Sequence, residues 1–541
     1  MMFKRNSLAM ILAATFGVVA HAETSWVSTE THATSVRTSM GMAVEASGVV
    51  APALPLHVAV SLKLRNEADL DARVERIKHG STTDYLTKQQ FLSLHAPTAA
   101  QVQVVVNHLA QSGFRNIKVA PNRMLVTADG SAAVAKTAFN ADLRHFMSEG
   151  KMVYANVNDA QVPAALGGIV LAVHGLQNAH HAHTMLVKAA PRAGAGTQAV
   201  TGHNPTDFPT IYNADSLPAA STATIGIISE GDLTQTLSDL QQFTSSAGYP
   251  SVNATTELAG NGTSDTSGTD EWNLDSQDAL AAAGGQLNQM IFYVADSLGD
   301  ADLDAAYNLA VSDGTASVIN ISLGECERDA KASGNIATDD QIYKSGVAQG
   351  MTWSVSSGDS GSAECGSNSG QSYPATSPYV IAVGGTTINS NGTSYVSEST
   401  WSGGGGGPSV VEAIPSWQKS AGVLGTSTKR GVPDISFDAD PNSGAQVIVN
   451  GSLSQIGGTS LAAPLFTGFW ARIQSVQGNT LVSPNPAIYK YAKANPSAFH
   501  DVTTGSNGGY KAKAGWDYAT GWGSLNVANF ANLVSAHASE F

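Results

Sequence analysis

Gly457-Gly458-Thr459-Ser460-Leu461-Ala462-Ala463-Pro464 is the stretch on which fold and chemistry turn. Its Gly-Gly-Thr turn delivers a serine to the start of a long apolar helix, Leu461 to Ile473. The free N–H groups of that first turn then lie beside the serine oxygen, where a tetrahedral oxyanion has to be held. A plainer reading makes Ser460 an N-cap, but the whole octapeptide followed by a buried helix points to a nucleophile. A serine nucleophile needs a base, usually histidine. After residue 194 only His203, His500 and His537 occur, all in terminal regions.

The best substitute is Glu271-Trp272-Asn273-Leu274-Asp275-Ser276-Gln277, after a helix start at Ser267-Gly268-Thr269 and before an Ala-rich stretch ending at Gly284-Gly285. Four residues apart, Glu271 and Asp275 share one helix face. Two ionised carboxylates there repel, and a shared or retained proton relieves the repulsion. On spacing alone an exposed acidic face is the simpler reading. Beside a serine without histidine, the pair becomes the candidate base, which serves where acid keeps the proton relay loaded.

Around these motifs, Thr224 to Ile228, Met290 to Val294, Ser317 to Ile321, Trp353 to Ser356 and Tyr379 to Val383 read as strands, with helical stretches between most of them. That alternation predicts an α/β fold: a parallel sheet with helices on both faces and active residues at the carboxyl ends of strands. Glu230 follows the first strand, where a histidine-based triad would have its aspartate; with no histidine to orient, it is read as structural.

Nearer the N-terminus, Leu56, Val58, Val60, Leu62 and Leu64 alternate as in a half-buried strand. Pro97 opens a helix with Val102, Val105, Val106 and Leu109 on one face, and Gly113 stops it. A hairpin around Pro121-Asn122, a helix over Ser131 to Phe139 and short strands near Leu143 and Val153 complete a βαββαβ order, an α+β ferredoxin-like unit. From about Gln177 to Asn204 the pattern dissolves into His, Ala, Gly and Thr, an exposed linker open to proteolysis. Its His180, His181 and His183 read as solvated rather than as metal ligands or pH sensors. At the start, Lys4 and Arg5 precede an apolar run from Leu8 to Val19, and Ala20-His21-Ala22 has the form of a signal-peptidase site. The expected organisation is a signal peptide over 1–22, a first domain over 23–176, a cleavable linker over 177–204 and a main domain over 205–541.

At 541 residues and 42% hydrophobic content the chain exceeds one ordinary core. No later apolar run approaches the roughly 20 residues of a membrane span, so an exported protein without a membrane partner is expected. The net charge of −15 is unevenly divided: residues 23–193 hold 15 Lys and Arg against 12 Asp and Glu, and residues 194–541 hold 11 against 31. This argues against nucleic acid as a partner of the main domain and suits work in acid. It also suggests a basic segment bound to an acidic one through charge contacts that acid weakens. In an oxidising compartment a bridge is the simplest use for Cys326 and Cys365, with two buried thiols as the alternative.

The octapeptide resembles the nucleophile motif of subtilisin-like peptidases, but the His-Gly-Thr element of that family occurs nowhere in the chain. From about residue 50 to the C-terminus the chain resembles instead the sedolisins, serine-carboxyl peptidases with a kumamolisin-type activation domain. Besides the two motifs above, the likeness rests on Asn320-Ile321-Ser322-Leu323-Gly324, Ser356-Ser357-Gly358-Asp359-Ser360-Gly361 and Pro433-Asp434-Ile435-Ser436-Phe437-Asp438. It implies a subtilisin-like fold preceded by an activation prodomain, and a secreted, acid-active endopeptidase made as an autoprocessing zymogen. The expected partners are protein or peptide substrates and the chain's own prodomain as inhibitor; a monomer is expected.

By the same likeness Ser460 is the nucleophile, Glu271 the general base, Asp275 orients Glu271, and Asp359 lies at the oxyanion hole. An ionised aspartate there opposes reaction, whereas a protonated one donates a hydrogen bond; the plainer reading is an Asp capping a glycine-rich turn. The likeness also implies one structural calcium, held by the side chains of Asp501 and Asp517 and the carbonyls of Val502, Lys513 and Gly515, without EF-hand spacing. Lys513 stands where glycine is usual. The family often has a tryptophan after the residue matching Ser322; here the chain reads Leu323-Gly324-Glu325-Cys326, which implies a pocket of different polarity. The rivals are a histidine-dependent subtilisin-like peptidase and a catalytically dead member that binds peptides or walls; the intact Ser460, Glu271, Asp275 and Asp359 set argues against decay.

Overall fold

A computed structural model describes residues 25–37, 42–80, 83–189, 202–366 and 370–541. The expected signal peptide and its cleavage site lie outside the described residues, as does the 190–201 part of the linker.

The apolar runs form one sheet in the order Ala254–Leu258, Gln289–Ala295, Thr224–Glu230, Val318–Ile321, Thr352–Ser356, Ile381–Asn391 and Ser394–Thr400. The first six are parallel neighbours. Ile435–Asp438 joins Ile381–Asn391 in parallel, and Ser394–Thr400 pairs with it antiparallel. Thr224–Glu230 is buried at every residue, as a strand covered on both faces requires. All five expected strands are present; Ala254–Leu258, half exposed, lacks an apolar run and was not legible.

From Thr224–Glu230 the chain goes to the edge with Ala254–Leu258, returns to the position between them with Gln289–Ala295, and then crosses to the other side with Val318–Ile321. Ligand and catalytic sites of such sheets lie where the order switches, beyond the carboxyl ends of the strands. Ser322 directly follows Val318–Ile321, and Asp359 lies three residues past Thr352–Ser356. Helix Thr459–Val476 packs along the sheet and against helix Thr269–Ala282, while helices Asp300–Asp313 and Asn335–Ala348 pack together and against Gln289–Ala295 and Thr352–Ser356.

The N-terminal unit is ferredoxin-like, with sheet order Arg115–Val119, Leu125–Ser131, Pro55–Leu62, Val170–His174. Helices Glu67–Lys78 and Lys88–Leu94 precede the expected helix, found at Ala99–Ser112, and the last strand also differs from expectation. The strands at Leu143–Ser148 and Lys151–Asn156 form a separate hairpin with Gly48–Val49, and the fourth strand of the unit is Val170–His174. An antiparallel hairpin satisfies its own ladder locally, so its alternation does not reveal which sheet it joins.

The contacts between the two segments run in both polarities: Lys188 Nζ lies 2.9 Å from Asp270 Oδ2 and His57 Nε2 4.0 Å from Asp302 Oδ1, as a basic segment on an acidic one would place them. Lys344 of the main domain donates to Glu67 and Asp71 of the first, at 2.9 and 2.8 Å, the reverse polarity. A buried polar cluster also joins them: His174 faces Asn335 and Thr338 at 2.9 Å and lies 3.3 Å from Asp304.

Nor is the linker reading retained up to residue 189. His183–Thr184 pairs antiparallel with Leu323–Gly324, and Val187–Lys188 pairs with Ile456–Gly457. Backbone pairing in a groove needs no apolar periodicity, which is why composition read this stretch as solvated.

Candidate active site

Ser460 is the second residue of helix Thr459–Val476, capped by Gly458 at φ +100°. It is therefore not an N-cap. It is fully buried, its N–H donates to the carbonyl of Met185 at 2.9 Å, and its Oγ lies 3.4 Å from the carbonyl of Ser322. The histidines of the main domain are engaged elsewhere: His203 with Ser443 and Ser390, His500 stacked on Tyr395, and His537 stacked on Tyr491.

Helix Thr269–Ala282 runs against helix Thr459–Val476 at a contact made possible by small residues. A Cβ at Gly468 would stand 2.3 Å from the carbonyl of Ala279 and 2.5 Å from the Ala282 methyl. This close crossing sets Glu271 and Asp275 opposite Ser460. Both carboxylates are fully buried, which excludes the exposed acidic face. Neither Glu271 oxygen has a hydrogen-bond partner, nor does Asp275 Oδ2. Burial raises the Glu271 pKa well above its ordinary value, and the charges of Asp275, Asp359 and Asp270 add to this; the nearby Ser460 hydroxyl pulls the other way. Asp275 is also raised by burial, against the donors on Ser322 and Asn320.

Those donors form a chain that sequence reasoning missed. Thr467 Oγ1 donates to Asn320 Oδ1 at 3.2 Å, Asn320 Nδ2 to Ser322 Oγ at 3.0 Å, and Ser322 Oγ to Asp275 Oδ1 at 2.6 Å. The available signal was a buried asparagine inside the apolar strand Val318–Ile321. Asp278, one turn beyond Asp275, was also missed; it is fully buried, with neither oxygen partnered.

Asp359 lies at the start of helix Thr459–Val476. Its Oδ1 accepts from Thr459 N–H at 2.7 Å and from Thr459 Oγ1 at 2.9 Å, while Oδ2 has no partner. Burial pushes its pKa up to about 7 against those two donors. A Cβ on Gly458 would stand 2.7 Å from this oxygen, so only glycine lets the carboxyl approach so closely. Unpaired buried polar atoms are uncommon in native proteins. Here those of Glu271 and Asp359 lie about one serine, with Asp275 one turn beyond Glu271, which makes this cluster the candidate reactive site.

Cys326 and Cys365 form a disulfide with a Cα–Cα distance of 4.9 Å. It ties the segment after Ser322 to the loop after Asp359. In the C-terminal loop, Gly515 N–H donates to Asp501 Oδ2 at 2.9 Å and Lys513 N–H to Asp517 Oδ2 at 2.8 Å. The two carboxylates thus converge on residues 513–515. The carbonyls of Val502, Lys513 and Gly515 accept no hydrogen bond from the described residues, leaving free hard oxygens of the kind calcium takes.

Residues 43–179 match the family described as "Pro-kumamolisin, activation domain", and residues 282–523 match the "Subtilase family". The second match begins past Glu271 and Asp275. Over 98% of its length the chain is 46% identical to sedolisin of Pseudomonas sp. (strain 101), covering 96% of that protein. It is 40% identical to xanthomonalisin of Xanthomonas sp. (strain T-22), over 99% of this chain and 76% of the relative. Among solved structures, Pseudomonas sedolisin, a serine-carboxyl proteinase complexed with pseudo-iodotyrostatin, superimposes with a TM-score of 0.60 at 47% identity, over 63% of this chain and 99% of that one. With Ser460 facing carboxylates where a subtilase would have histidine, and with an activation domain ahead of it, the chain belongs to the sedolisin family of serine-carboxyl peptidases.

Proposed function

We propose that the chain is an exported endopeptidase, active in acid, in which Ser460 is the nucleophile, Glu271 its general base, Asp275 the residue that orients Glu271, and Asp359 a protonated oxyanion donor. The observation that carries the reading is that both unpartnered oxygens of Glu271 are buried beside Ser460, with every histidine of the main domain occupied elsewhere. In the reaction Ser460 Oγ attacks the substrate carbonyl and gives its proton to Glu271. The charge formed on the carbonyl oxygen is met by Ser460 N–H and by the proton on Asp359 Oδ2. Glu271 then protonates the leaving amine, and water releases the acyl group by the same steps in reverse.

Acid is required on this scheme because Asp359 donates only while protonated. Fixed by Thr459 through Oδ1, it presents its free oxygen toward the serine's turn. Acid thus switches on the site itself, and the zymogen is expected to process itself when acidified. The C-terminal loop suits one calcium, with Asp501 and Asp517 as charged ligands and the carbonyls of Val502, Lys513 and Gly515 completing the oxygen set; bound there, it would brace the loop. Export rests on the leader at residues 1–22. Among the described residues no helix is long and apolar enough to cross a membrane.

The test is hydrolysis of denatured haemoglobin by acid-treated protein, beside Ser460→Ala. Cleavage in acid that the substitution abolishes is expected. Cleavage that persists in Ser460→Ala, or none by the parent protein, contradicts the reading.

A further inference from the structure

The segment before residue 190 lies along the site in extended form, and its hydrogen bonds change partner between Met185 and Val187. On one side, His183 and Thr184 pair antiparallel with Gly324 and Leu323, and Met185 N–H donates to the carbonyl of Ser322 at 3.1 Å. On the other, Val187 and Lys188 pair with Gly457 and Ile456, and Ala189 N–H donates to the carbonyl of Gln455 at 3.1 Å. The crossing from one wall to the other lies between Met185 and Val187. The Met185 carbonyl accepts from Ser460 N–H at 2.9 Å. A Cβ on Gly458 would stand 2.2 Å from that carbonyl oxygen and 2.7 Å from Asp359 Oδ2, so both oxygens crowd the same glycine.

The Met185 side chain is buried at 1% exposure, against half-buried neighbours on either side. Its methyl end fills the space left by the missing side chain of Gly324: a Cβ there would be 2.4 Å from Met185 Cε and 2.1 Å from Ser372 Oγ. Any side chain at position 324 would take the volume that the methionine occupies.

We infer that Met185–Leu186 is the first bond this peptidase cuts, in its own precursor, and that the space beside Gly324 is the pocket selecting a long unbranched apolar residue on the acyl side of the cleaved bond. The inference rests on the proposed roles of Ser460 and Glu271. Ser460 Oγ bonds to the Met185 carbonyl carbon as its proton passes to Glu271. The bond from that carbon to Leu186 nitrogen then breaks, and the nitrogen takes the proton from Glu271. Water attacks the resulting ester and returns a proton through Glu271 to Ser460 Oγ. The N-terminal fragment is left with the Met185 carboxylate and the peptidase with a new N-terminus at Leu186.

The test is time-resolved mass and N-terminal sequence analysis of the acidified full-length precursor. The first new N-terminus is expected at Leu186, and Met185→Asp is expected to slow its appearance by about tenfold or more, since an apolar pocket rejects a charged occupant. A peptide of residues 180–191 offered to processed enzyme checks the same bond without reliance on precursor folding: cleavage between Met and Leu, lost with Asp in place of Met, is expected. If processing depends on Ser460 but first exposes another terminus, and the peptide is cut elsewhere, the assignment is overturned while the peptidase reading stands. If Ser460→Ala precursor is processed as fast as the parent, the catalytic reading beneath it is overturned.

Discussion

In the proposed scheme Asp359 and Ser322 act on different protons, and single substitutions separate them. With its pKa held up to about 7 by burial, Asp359 keeps its proton below that pH and loses it above, so the donor to the oxyanion vanishes as pH rises. Asp359→Asn supplies a donor at every pH with a different geometry. It is expected to lower kcat but flatten the alkaline limb of the pH profile; an unchanged profile removes Asp359 from the oxyanion hole. Ser322 instead stabilises the ionised form of Asp275 through the 2.6 Å hydrogen bond. Ser322→Ala removes a bond to a charged group, worth about 1.5–3 kcal/mol. The acid limb of kcat/KM is expected to move up by about one to two pH units, and a limb that stays in place contradicts the relay. These residue-scale features were partly legible. Glu271, Asp275, Asp359 and Ser460 announced themselves as acidic or nucleophilic residues in small motifs. Ser322 and Asn320 were written in a motif without a role, because a hydroxyl or amide gains one only from what faces it in space.

At the scale of elements, the site depends on two helices crossing at Gly468. Replacing this glycine with alanine sets a methyl 2.3 Å from the Ala279 carbonyl, a backbone atom that cannot swing aside. Gly468→Ala is expected to cost about 1–3 kcal/mol through overpacking, read as a lower urea midpoint of the Ser460→Ala precursor. In the active chain it is expected to lower kcat/KM, because Glu271 moves relative to Ser460. An unchanged midpoint shows that the crossing is looser than described. The Ala-rich stretch before Gly284-Gly285 signalled a helix but not its neighbour. Likewise, the apolar runs of the parallel sheet were legible because burial on both faces makes them continuous, whereas Ala254–Leu258 at the edge carries Thr and Glu and reads as loop. Residues 183–189 were read as linker since their order comes from pairing with the walls of the cleft rather than from any periodicity of their own.

For the whole molecule, several buried carboxyls share one sign of shift. Burial raises Glu230 to about 7 and Glu364, Asp438 and Glu412 to about 8, above the unfolded values near 4. The folded chain therefore binds more protons between about pH 4 and 8. The stability this provides is complete below the unfolded pKa and is lost as pH rises through the folded one. His174 and His500, lowered to about 4 by burial, act in the opposite direction but are fewer. The Ser460→Ala precursor is expected to melt at a higher temperature at pH 5 than at pH 8; the reverse order contradicts this account of the buried acids. Chelation is expected to lower the melting temperature of the processed enzyme, with calcium restoring it, and indifference counts against the C-terminal loop as a calcium site. Neither effect bears on whether the carboxylate pair runs the chemistry. The most direct measurement of that is kcat/KM of the processed enzyme against pH, with and without Glu271→Gln. A maximum in acid that the substitution lowers about 10²–10⁴-fold is predicted, while full activity in Glu271→Gln, or a maximum in alkali, would contradict it.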